Sequence, residues 1–103
     1  MVRREIIKQA RTLMLRSLDK VYPSGLMVKQ LYQVMCAVDP GYDFDLMKKD
    51  VAYLMEKGYV VMVKIGGSGT LADVHKDSLA VVKLTCTGLE VIQSLRHDPA
   101  LEI

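Results

Sequence analysis

The residue types that carry out chemistry most readily are few in this chain and poorly spaced for it. Cys36 and Cys86 lie far apart in apolar surroundings with no CxxC pair, so neither a zinc site nor a thioredoxin-like redox motif has its ligands. Two buried free thiols are expected instead. His75 and His97 lack the serine or carboxylate arrangement of a catalytic triad or a metal cluster, and both are expected at the surface. Gly66-Gly67-Ser68-Gly69 would let backbone amides approach a phosphate. Its spacing is neither GxGxxG nor GxxxxGK, however, and no helix opens directly after Gly69 to offer its N-terminus. A mobile loop tip fits those glycines better. No catalytic, metal or cofactor constellation emerges, and the expected activity is binding rather than catalysis.

Charge is the remaining chemistry. The 103 residues carry 14 Lys+Arg against 12 Asp+Glu, a net +2. Arg3, Arg4, Lys8, Arg11, Arg16 and Lys20, opposed by Glu5 and Asp19, give residues 1–20 a local +4, which leaves −2 for the rest. Arg4, Lys8, Arg11 and Leu15 recur at i, i+4, i+7 and i+11, so on a helix they form a basic stripe. Such a stripe suits phosphates or an acidic partner, and equally a plain solvated surface. Leu15, read as exposed on that side, suggests a subunit contact, as does the apolar tail with Leu101 and Ile103.

These groups must be positioned by one small domain. With 50% hydrophobic and 25% charged residues, the composition is that of a packed globular chain. The uncharged stretch Leu31 to Val38 falls well short of the roughly 20 apolar residues of a membrane span. Lys8 and Arg11 interrupt any leader-like segment, and a cytosolic location is expected. Ile6, Ala10, Leu13, Met14, Ser17 and Val21 follow a 3.6-residue rhythm and predict a first helix over 3–20, ended by Tyr22-Pro23-Ser24-Gly25. Val28, Leu31 and Met35 predict a second over 27–37. Phe44, Met47, Val51, Leu54 and Met55 predict a third over 43–57, with Asp43 as N-cap and Gly58 as the αL cap. The period then changes to two. Strands are expected over 59–65 and 79–84, joined as an antiparallel hairpin, followed by a helix over 86–97 opening near Thr85 or Thr87. Methionines at helical spacing, such as Met14, Met35, Met47 and Met55, are expected in the core.

Two stretches carry a resemblance. Asp50-Val51-Ala52-Tyr53-Leu54-Met55-Glu56-Lys57-Gly58-Tyr59-Val60 is similar to the junction of recognition helix and first wing strand in winged-helix regulators. Leu84-Thr85-Cys86-Thr87-Gly88-Leu89-Glu90-Val91 resembles the LTxxGxxV opening of their C-terminal helix. The resemblance implies an α+β fold of winged helix-turn-helix type, with three helices, a β-hairpin wing and a C-terminal helix. It further implies a DNA-binding transcriptional regulator. More narrowly, the length and both motifs resemble small winged-helix proteins of Mu-like bacteriophages and prophages. The acidic loop Asp39 to Asp45 and the long loop after Ile65 depart from that pattern.

On this reading the third helix enters the major groove of double-stranded DNA, with Lys48, Lys49 and Tyr53 as its contacts. Lys64 and Lys76 on the wing, and Arg4, Lys8 and Arg11 on the first helix, would meet the backbone. A homodimer through the first and last helices is expected. Against DNA stands the net −2 of residues 39–57, where five acidic groups face three basic ones. The alternative is a winged-helix protein–protein interaction module that does not bind DNA, using the acidic third-helix face or exposed apolar groups such as Leu15 and Leu46.

Overall fold

The computed structural model describes residues 4–75 and 78–93, with side chains from Gln9 onward, and forms an α+β domain. Four helices lie at Arg4–Lys20 (α1), Val28–Val38 (α2), Phe44–Glu56 (α3) and Cys86–Ile92 (α4). The strands are Leu26–Met27 (β1), Val60–Lys64 (β2), Gly67–Ser68 (β3) and Val81–Leu84 (β4), and a 3₁₀ turn covers Leu71–Asp73. All strand pairs are antiparallel, in the order β1-β4-β2-β3. Residues 94–97 of the expected last helix lie outside the described residues.

Strands β1 and β3 are absent from the sequence reading because neither has a pattern of its own. Leu26 and Met27 become strand only by pairing with Val82 and Val81, and Gly67 and Ser68 only by folding back on Lys64 and Val63. The long loop therefore begins with a tight hairpin in which Gly66 and Gly67 take φ of 93° and 147°, a region that costs other residues steric strain. Val28 N donates to Ala80 O at 3.0 Å, fastening the start of α2 to the chain leading into β4.

The core is built from Met14, Leu15 and Leu18 of α1, Val28, Leu31 and Met35 of α2, Met47, Val51 and Leu54 of α3, and the inward residues Val60, Met62, Val82 and Leu84 of the sheet. This corrects one expectation. Leu15 is fully buried, not an exposed subunit contact. The reason is that α1 packs against α2, α3, β4 and α4 together, so its buried sector is wider than a single apolar stripe. Leu46 is half-buried against the core rather than free on the surface. The cysteines are unpaired, but only Cys36 is partly covered, while Cys86 is exposed. Cys86 is the first residue of α4, whose inward face is formed by Gly88, Val91 and Ile92.

The two stretches that carried the resemblance meet in space. Asp43 caps α3 by accepting from Leu46 N at 2.9 Å, and the helix ends at Gly58 with φ of 76°. Thr85, rather than Thr87, caps α4 by accepting from Gly88 N at 3.0 Å. The Thr85 hydroxyl also donates to Gly58 O, and its backbone N–H donates to Tyr59 O at 2.9 Å. Gly88 lies so close to the Tyr59 carbonyl that a Cβ there would collide with it. The junction motifs thus join the end of α3 to the start of α4.

Candidate nucleic-acid interface

The turn between α2 and α3 sets how α3 is presented. Tyr32 stacks on Phe44 with centroids 3.8 Å apart, and its hydroxyl donates to Tyr42 O at 3.3 Å. Asp39 accepts from Gly41 N at 3.0 Å within the turn. Two carboxylates of the acidic loop, Asp39 and Asp43, are therefore occupied with backbone amides.

Beneath α3 lies a polar network that the sequence reading missed. Asp50 is 5% exposed and accepts from the Tyr42 hydroxyl at 2.8 Å and from Arg11 Nε at 3.3 Å. The Arg11 guanidinium also lies 4.0 Å over the Tyr53 ring, with Lys57 Nζ at 5.8 Å from the same ring. Burial pushes the Asp50 carboxyl above its ordinary value, and the bonds from Tyr42 and Arg11 pull it only part of the way back. Burial, followed by the neighbouring Asp50 charge, pushes the Tyr42 phenol far up. Tyr42 therefore remains a neutral donor. The network ties α1 to α3 and to the turn before it. The only hint of it in the sequence was an aspartate, Asp50, at a position with core spacing between Met47 and Val51.

The outward face of α3 carries exposed Asp45, Lys48, Lys49 and Glu56, with Lys57 just beyond the helix. Among the described residues, neither Lys48 nor Lys49 makes an ion pair. Tyr53 is half-buried and serves as the platform for Arg11, so it is less available to a base edge than its spacing implied. Arg11, with a side chain 19% exposed, points to Asp50. Lys64 reaches Asp73 at 3.3 Å. A bond from Thr70 N at 2.7 Å, reinforced by Lys64, holds the Asp73 carboxyl below its ordinary range. Arg4 and Lys8 lie on α1 with side chains outside the described set, and Lys76 lies outside the described residues, as do His97, Leu101 and Ile103.

The charge balance of the site changes accordingly. Once Asp50 is counted with Arg11 as a neutral internal pair, the −2 of residues 39–57 becomes −1. The carboxylates left on the exposed surface of α3 are Asp45 and Glu56, facing Lys48 and Lys49. An apolar cleft of about 190 Å³ lies between α1 and α2, lined by Ala10, Leu13, Met35 and Val38 with Gln9 and Asp39 as polar members. Among the described residues, no group of three or more His, Cys, Asp or Glu is placed to hold a metal ion. Nor is any helix among them long and apolar enough to cross a membrane. No family model, curated protein or solved structure matches this chain.

Proposed function

We propose that this chain is a winged-helix domain that binds duplex DNA, with α3 in the major groove and the β2–β4 hairpin with its connecting loop, which includes β3, as the wing against the backbone. The observation that carries the reading is the position of α3 in the element order. It follows α2 through a short aromatic-pinned turn, it precedes the hairpin directly, and it turns Lys48 and Lys49 outward. A helix in that place is of the size the major groove admits. Strand β1, paired to β4 and inserted between the first two helices, supports the same architecture. The internal pairing takes the Asp50 carboxylate away from phosphate but takes Arg11 out of the backbone contacts with it, so on α3 the attraction to DNA rests on Lys48 and Lys49.

A protein-binding module is the second reading, favoured by Asp45 and Glu56 on the same outward face. The double variant Lys48→Glu/Lys49→Glu separates the two. Both positions are exposed, so the fold should persist. On the DNA reading each lysine contributes a slope of about 0.9 to the logarithmic salt dependence of affinity. The variant should therefore bind duplex DNA more weakly and lose a slope of about 2. Equal binding by wild type and variant removes α3 from the interface.

A further inference from the structure

An antiparallel sheet with one wet face ordinarily alternates apolar and polar residues, and this sheet does not. Strand β2 buries Val60 and Met62 inward yet presents Val61 and Val63 outward, and β4 buries Val82 and Leu84 while turning Val81 and Lys83 out. The register sets Met27, Val81 and Val63 side by side across three strands, with Val61 opposite Lys83 in the neighbouring row. Ile65, 93% exposed, follows β2, and Leu79, 73% exposed, precedes β4, both beyond the Met27–Val81–Val63 row, while Val61, 46% exposed, lies on its other side beside Lys83. Among the described residues, no helix or loop covers Ile65, Leu79 or Val61, which stay exposed.

We propose that the outer face of the sheet is where two copies of this chain associate, sheet against sheet. Three features select a second copy. The strands contribute one charged residue to the face, Lys83, and no carboxylate, so it offers nothing complementary to a charged partner. Flat valine rows pack on their like, as the inner faces of a sandwich do, and a twofold contact uses the same patch twice. The exposures of Ile65, Leu79, Val61 and Met27 leave on the order of 400 Å² of apolar surface, comparable with the largest patch on an ordinary monomer. That is about half of the ~800 Å² one partner contributes to a standard interface, and half-buried Val63, Val81 and Lys83 add to it. Edge-to-edge association is disfavoured because both edge strands, β1 and β3, are only two residues long. This contact differs from one through α1, for which Leu15 no longer argues, and it does not depend on DNA binding.

Sedimentation velocity on the full chain without DNA, from low micromolar concentration upward, tests the proposal. The wild type should show a concentration-dependent monomer–dimer equilibrium. Val61→Glu and Leu79→Glu, at exposed positions, should each raise the dissociation constant at least tenfold, since a twofold dimer carries each change twice. Their melting, extrapolated to low concentration, should match the wild type. If either variant melts early, Val61→Thr and Leu79→Ser replace them, with the same direction expected. A wild type that stays monomeric throughout overturns the proposal, and so does a dimer that both variants leave intact.

Discussion

Replacing Arg11 with methionine keeps the aliphatic stem and removes the guanidinium, so it isolates what the charge does for Asp50. In the folded protein Asp50 is 5% exposed and holds two side-chain bonds, to Tyr42 at 2.8 Å and to Arg11 at 3.3 Å. Removing one partner of a fully buried ion pair costs about 3–5 kcal/mol. Here the Tyr42 bond survives and the Arg11 side chain is 19% exposed, which argues for the lower end. The stacking on Tyr53 at 4.0 Å is lost as well, worth about 0.5–1 kcal/mol at a partly exposed site. A total of about 3.5–4 kcal/mol corresponds to a fall in Tm of roughly 15–30 °C for a domain of this size. The pH dependence is the sharper test. Burial sets the Asp50 carboxyl above its ordinary value of 3.8, so its favourable contribution is fully present in acid and is lost as pH rises through the folded-state value. Arg11 limits that loss. Without it the folded-state value climbs further, so the gap between variant and wild type should be small in acid and widen toward neutral pH. Asp50→Asn, which cannot ionise, should flatten the dependence. Urea denaturation across that pH range reads both effects. A loss under about 0.5 kcal/mol, of the size seen at ordinary surface sites, or one independent of pH would refute the buried-pair account.

Three further outcomes follow from the same geometry. Thr85→Ala removes the cap on Gly88 N and the bond to Gly58 O, and should lower stability by about 1–2 kcal/mol in calorimetry; an unchanged Tm would show that the α3–α4 junction does not depend on it. Gly88→Ala forces a methyl group against the Tyr59 carbonyl and the Leu84 side chain, and should cost roughly 1–3 kcal/mol or more by the same measurement, whereas a neutral result would mean that α4 can shift. Val61→Glu should leave melting intact while dissociating the proposed dimer.

Most helix and strand positions were legible because their boundaries carry their own chemistry. Asp43 caps α3, Gly58 adopts the positive φ that ends it, and the change from period 3.6 to period two marks β2 without tertiary information. The rotation of α1 was not legible. Ala10, Leu13, Met14 and Ser17 suggested one buried side, and Met14 is fully buried, yet so are Leu15 and Leu18 outside that stripe, because four elements press on this helix and the sequence does not reveal from where. Arg11 was misjudged for the same reason. Its partner Asp50 lies 39 positions away, and an ion pair at that separation leaves no periodic trace. Lys48 and Lys49 were easier to place, since the apolar spacing of α3 alone turns them outward. The apolar outer sheet face was written in the unbroken run Val60-Val61-Met62-Val63, but only the register shows it extending across three strands.

The central claim is that α3 meets duplex DNA, and fluorescence anisotropy with labelled random duplex across a salt series tests it most directly. The account predicts binding at low salt with an affinity that falls steeply and log-linearly as salt rises, and a slope about 2 units shallower for Lys48→Glu/Lys49→Glu. No binding at low salt would contradict it.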